Sequence, residues 1–346
     1  MVPATEPKLV LDCGDAFSKG TDSTTPADAL QQRAELIVDV FNQLGTKAYT
    51  IGERDLSLGV ESLLKLSKKA KFPFLAANLV GEDDKPVFGT SVIEKLGELR
   101  IGIMGLVGTK NVVQASQLEA AKLRLVDPVT VATAEAARLR AEGVDLLVVL
   151  SHLGNGEEAA IATAVPDIRF FVGGHDGRML NAPQAVGNAW KLESGSRGKY
   201  VGRLEIYPAP GSKDFSKLAF GDQARAIGET LEQRNRSLAQ TQERLKTLEE
   251  KPVPEDQAAR HLTRVEGMQR SIERLSQQIE DDKAKLAALP SVGNEPLFGN
   301  RLDPISVTIA EQPAIASAVK AIEPVVDVVP RQPPKRDLSP RKPASP

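Results

Sequence analysis

VDLLVVLSHLG (144–154) and IRFFVGGHDG (168–177) are two apolar runs that each close on a histidine. Runs with no polar face suit strands sandwiched between layers, because a strand with one solvated face would alternate. Between them, residues 156–165 carry helix-forming residues at helical spacing, so a helix is expected to join two neighbouring strands.

The same rhythm extends outward from this pair. Strands are expected at 8–14, 47–52, 72–78, 99–107 and 202–208, and helices at 27–44, 57–70 and 128–142, with glycine or polar residues between them. The first part of the chain, to about residue 208, therefore reads as an α/β domain. With 346 residues, the chain is long enough for such a domain of about 200 residues plus extensions.

Beyond residue 222 the pattern changes to long polar helix, interrupted once by LEEKPVPED (248–256). In the second arm Val265, Ile272, Ile279 and Leu286 recur every seventh residue, with Met268, Leu275 and Leu289 in the partner position. Leu231, Leu238 and Leu245 keep the same period in the first arm, so an antiparallel helical hairpin, a short coiled coil, is expected. Arg234, Thr241 and Asp282 intrude on the apolar stripe and weaken it. The division expected is 1–220 for the α/β domain, 221–290 for the hairpin, 291–328 for a short mixed segment and 329–346 for a disordered Pro-rich tail. The hairpin is expected to be a spacer or a site of self-association or protein contact through residues 222–289.

Composition narrows the function classes. A net charge of −2 provides no field for capturing nucleic acid, and no run of about 20 apolar residues predicts a membrane span. The start MVPATEPKLVLDCGD has neither the basic opening nor the apolar stretch of a secretory signal. A single cysteine, Cys13, excludes an internal disulfide and a cysteine-rich zinc site.

Open α/β sheets collect ligands at strand ends, and the unusual residues of this chain gather there. LDCGDAFSKG presents Asp15 after a glycine; TIGERDLSLG puts Glu53, Arg54 and Asp55 directly after a strand; His152 and His175 are two of only three histidines. A histidine closing a buried strand is ordinarily a local hydrogen-bonding residue. Two carboxylates and two imidazoles at four strand ends, however, form an oxygen and nitrogen set suited to a divalent transition metal.

GDAF (14–17), GERD (52–55), SHLG (151–154) and GHDG (174–177) follow one another as the motifs of calcineurin-like metallophosphoesterases of the 5'-nucleotidase type do. FPFLAANL (72–79), IGIMGLVG (101–108) and ESGSRGKYVGRLEI (193–206) resemble other segments of the same family, so the resemblance covers residues 8 to about 208. It implies a layered β-sandwich flanked by helices and hydrolysis of a phosphate ester or nucleotide-like small molecule. It also implies a periplasmic or otherwise exported location.

Residue by residue, the resemblance makes Asp15 the carboxylate that bridges two metals, and gives His152 and His175 to the second metal. Glu53 stands at a metal-binding asparagine of the family and can ligate through oxygen. Arg54 replaces the histidine that assists the departing oxygen; a guanidinium can steady phosphate charge but cannot readily deliver a proton. Asp55 stands at the glutamate that supports that histidine. The family's first strand, with its Asp-x-His ligands, is expected to be absent, and Gly177 replaces another first-site histidine. One divalent ion (Mn, Zn or Fe) is therefore expected, held by Asp15, Glu53, His152 and His175, with no protein ligand on the Gly177 side. Losing the other metal would cost on the order of 10³-fold or more in rate. Two outcomes stay open: a hydrolase with one metal, or an inactive relative that binds or assembles through its hairpin.

Overall fold

A computed structural model describes residues 7–18, 27–109, 118–119, 121–221, 223–250, 253–287, 295–305 and 309–322. The expected tail at 329–346, Leu289 and the side chain of Leu286 lie outside the described residues. In chain order the strands are β1 (Val10–Asp12), β2 (Thr46–Thr50), β3 (Phe74–Leu75), β4 (Leu79–Val80), β5 (Ser91–Leu96), β6 (Leu99–Val107) and β7 (Arg124–Leu125), continuing with β8 (Leu146–His152), β9 (Ile168–Gly173), β10 (Gln184–Val186), β11 (Ala189–Glu193), β12 (Tyr200–Tyr207), β13 (Ala219–Phe220) and β14 (Leu297–Pro304). The α-helices are α1 (Ala27–Leu44), α2 (Val60–Lys69), α3 (Pro128–Ala141), α4 (Asn155–Ala164), α5 (Gln223–Glu249), α6 (Ala258–Ala287) and α7 (Pro313–Ile322). The chain is thus a mixed α/β protein.

Its centre is a six-stranded sheet in the order β10-β11-β9-β8-β6-β5, in which β6, β8, β9 and β11 run parallel. Their apolar runs are buried on both faces, as the lack of alternation requires. On one face Val149, Phe171 and Met104 pack with Ala132, Ala136 and Leu139 of α3 and Ile161 of α4. On the other, Val148, Leu150 and Phe170 share a core with Ala48 of β2, Leu75 of β3 and Phe298 of β14. β1, β2 and β3 form a separate parallel sheet, and both groups of strands bring their C-terminal ends to one edge of that core.

Local chemistry accounts for the departures from the expected boundaries. The run expected as a strand at 72–78 pairs as β3 only at Phe74 and Leu75. Asn78 then donates to the carbonyls of Val107 and Val126 and accepts from the Val107 N–H, so its side chain completes the backbone bonding there. The helix expected at 57–70 is split: a 3₁₀ turn covers Asp55–Leu58, and Gly59 at φ 83° separates it from α2.

β14 was not foreseen. It pairs with β12 along its whole length and with β13 at two positions, so residues 297–304 return to the α/β body after α5 and α6. Phe298 is fully buried, with Phe170 edge-on at 5.0 Å. Between α5 and α6, Arg234 donates to Asp282 Oδ2 at 2.6 Å and to the Gln278 carbonyl at 3.0 Å. Two of the polar residues in the stripe therefore satisfy each other across the helices. Among the described residues no helix is long and apolar enough to cross a membrane.

Candidate metal centre

Asp15 follows Gly14 at the end of β1, and both have positive φ, 95° for Gly14 and 62° for Asp15. A Cβ on Gly14 would lie 2.7 Å from Gly52 N and 2.9 Å from His152 Nδ1, so only glycine lets the three segments close. Asp15 tolerates the left-handed region better than most residues, at a cost on the order of 1 kcal/mol. Its turn is held by Asp55.

Asp55 is fully buried and accepts the N–H groups of Asp15 (2.9 Å), Phe17 (3.0 Å) and Gly52 (2.9 Å), together with the Tyr49 hydroxyl at 2.6 Å. Its carboxylate thus ties the loop carrying Asp15 to the loop carrying Glu53, and its contacts are to backbone and tyrosine. Burial, reinforced by the charge of Asp15, pushes the Asp55 carboxyl up to about 6. The same burial raises Asp12, which accepts the Gly14 N–H, to about 6.

Three of the four expected ligands converge. Glu53, His152 and His175 each offer a ligand atom within 4.8 Å of the others. Glu53 Oε2 lies 2.5 Å from His152 Nε2 and 3.3 Å from His175 Nδ1. Asp15 borders this group, with Oδ2 at 3.5 Å from His152 Nε2 and Oδ1 accepting the Arg54 N–H at 2.8 Å. The Arg54 guanidinium is exposed at the mouth, Nε 3.5 Å from Asp15 and 3.9 Å from Glu53. Gly177, at φ 63°, contributes no side chain. The third histidine, His261, lies on α6.

The chemistry of the donor set fits a divalent cation. His152 is fully buried, and its Nδ1 lies 2.7 Å from the Cys13 carbonyl. A carbonyl can only accept, so Nδ1 keeps a proton and Nε2 turns its lone pair toward Glu53 and His175, the arrangement that outer-shell carbonyls impose on metal-ligating histidines. Without a metal, protons fill the gap. Burial opposes the charged imidazole, but hydrogen bonds to the Asp15 and Glu53 carboxylates outweigh it and lift His152 to about 10. Burial likewise opposes the charge of Glu53, and bonds from His152 and His175 overcome it and lower its carboxyl. His175 is raised chiefly by its bond to Glu53.

Sequence reasoning missed the supports. Tyr49 lies inside the strand KAYTIG and shows no motif; the carbonyl of Cys13 is a backbone group that any residue supplies. A hydroxyl-bearing residue inside a predicted strand was the sequence signal available for Tyr49.

No family model matches the chain. Apyrase from Aedes albopictus is 31% identical over 206 residues, 51% of this chain and 36% of that protein. The probable 5'-nucleotidase of Treponema pallidum is 27% identical over 183 residues, covering 52% of this chain and 29% of its own length. The chain thus spans about a third of the curated relatives it matches. Among solved structures, sulfate thiohydrolase SoxB from Thermus thermophilus superposes on 57% of this chain and 35% of its own, with a TM-score of 0.50 and 25% identity. The motif order, the strand-end geometry and these likenesses agree: the chain carries a domain of the calcineurin-like metallophosphoesterase superfamily, of the 5'-nucleotidase N-terminal type.

Proposed function

We propose that the protein is a metal-dependent phosphoester hydrolase of the 5'-nucleotidase type with one metal site, held by Glu53, His152 and His175 with Asp15 beside them. The observation that carries this reading is the convergence of one carboxylate and two imidazoles on a point toward which His152 is aimed by the Cys13 carbonyl. A divalent ion, Mn, Zn or Fe, supplies Lewis acidity: it acidifies water and neutralises phosphoryl charge. Arg54 is placed to attract the phosphate of a nucleotide-like ester and holds its proton throughout. Asp55 acts by positioning, since its oxygens are spent on the two loops. The reading includes a periplasmic or otherwise exported location, which the family resemblance supports.

The reading includes an organisation: residues 1–220 as the catalytic domain with a sandwiched sheet, 221–290 as an antiparallel coiled-coil hairpin, 291–328 as a mixed segment and 329–346 as a tail. β14 then closes the catalytic domain behind the hairpin. A second reading, an inactive relative that assembles through residues 222–289, is favoured by one observation: Gly177, where the resemblance expects a metal-binding histidine, brings no side-chain donor.

Elemental mass spectrometry of the purified protein, with hydrolysis of an aryl phosphate in added manganese or zinc, separates the two. About one metal per chain, and activity lost together with it in His175→Ala, supports the hydrolase. Absence of both metal and His175-dependent turnover sinks it in favour of assembly.

A further inference from the structure

The turn Gly174–Gly177 that carries His175 is gripped from behind by a second ionic cluster. Lys191 on β11 is 1% exposed. Its Nζ hydrogen-bonds Asn155 Oδ1 at 2.8 Å and Asp176 Oδ2 at 3.2 Å, and ion-pairs with Glu158 Oε2 at 2.8 Å and Glu193 Oε1 at 2.9 Å. Asp176 is the residue after His175. On the far side of the turn, Glu193 Oε2 accepts the Arg178 N–H at 2.9 Å. At its start, the Gly174 N–H bonds the Ser151 carbonyl, and a Cβ on Gly173 would meet Glu193 Cγ at 2.8 Å. Among the described residues its charged side chains make no hydrogen bond or ion pair to Glu53 or His152, yet the cluster fastens the residues on both sides of His175.

We propose that Lys191 is a positioning residue for the candidate site: by holding Asp176, and Glu193 beside it, it fixes the turn so that His175 faces Glu53. An ammonium suits this task because its three hydrogens point in different directions on a side chain that reaches from a rigid strand. The inference rests on the reading of Glu53, His152 and His175 as metal ligands for what the positioning achieves, but the grip itself does not need a metal.

Two measurements test it on the full chain. In the metal-free protein, amide hydrogen exchange of residues 174–178 is expected to quicken about tenfold or more in Asp176→Asn and Lys191→Met, with amides of β8 unchanged. In cobalt binding followed by the visible absorption of the bound ion, each variant is expected to lose about tenfold in affinity, as outer positioning groups do. The same changes should cost nothing further in a His175→Ala background, whereas a merely structural effect would cost the same in both. Equal losses in the two backgrounds, or an unchanged turn in a folded variant, overturn the proposal. Should Lys191→Met fail to fold, Asp176→Asn, whose side chain is partly exposed, decides alone. If the unaltered chain binds no cobalt, the metal reading falls, and the exchange result still decides the grip.

Discussion

Ser151 and His152 are neighbours on β8, and they send their side chains to opposite faces of the sheet, each into a cluster of charged groups. Ser151 Oγ donates to Glu158 in the cluster around Lys191, while His152 faces Glu53, Asp15 and His175. Both clusters collect more carboxylates than a dry interior accepts without a cation. The first is closed: Lys191, Glu158 and Glu193 are 1–3% exposed, and the chain provides its own ammonium. The second is open: His175 and Glu53 remain 23% and 20% exposed, and its carboxylates face protonated imidazole within and the exposed Arg54 guanidinium at the mouth. A permanent cation makes a brace, and a replaceable proton leaves room for the proposed metal.

Breaking the closed cluster should have the largest effect. Lys191→Met leaves buried carboxylates uncompensated and should lower unfolding stability by about 3–5 kcal/mol in urea titrations. Removing the partner as well, in Lys191→Met with Glu158→Gln, should recover part of that loss. A midpoint that does not move would mean that the closed cluster is no brace.

His152→Ala should act on metal rather than on the brace. On the proposed reading its loss removes a ligand rather than an outer support, so isothermal titration with manganese should show affinity falling by more than about 100-fold. Retained binding would make the open cluster an ordinary hydrogen-bonded group.

The two clusters should also differ in pH response. His152 has a folded value of about 10 against an ordinary 6.5, so its stabilisation is complete below 6.5 and is lost gradually as pH rises to about 10. The groups facing it are Asp15, Glu53, His175 and the Cys13 carbonyl. Lys191 is raised above 10.5, with burial opposing and the Glu158 and Glu193 bonds prevailing, so its contribution stays level until pH passes that value. Thermal unfolding of chelator-treated protein should therefore weaken across 6.5–10, and bound metal, which displaces the His152 proton, should flatten that decline. Identical curves with and without metal would remove the contrast.

The smallest expected effect is at the mouth. Arg54→Ala should change stability by no more than about 0.5 kcal/mol, because the side chain is 56% exposed. It should raise KM for an aryl phosphate without changing metal content; an unchanged KM would separate Arg54 from phosphate.

Legibility followed how local each signal was. His152 and His175 could be read because an apolar run ending in histidine is visible in a few residues. Glu53 could be read as a strand-end carboxylate, but not as the oxygen between both imidazoles. Asp55 stood in a motif position, and its sequence neighbours gave no sign that it would be spent on three backbone N–H groups contributed by two loops. Lys191 carried no signal in the sequence, since its partners at 155, 158, 176 and 193 come from three segments.

From the sequence alone came the α/β class, the strand ends that matter, the family resemblance and the residue types able to hold a metal. All of these depend on short-range pattern: backbone periodicity is set within a few residues, and glycine marks its interruption. Tertiary structure alone decided which charges meet, that Ser151 and His152 serve different clusters, and that β14 lies between β12 and β13. Those depend on strand register and on burial, which raise or lower the cost of a charge only once distant segments have excluded water around it.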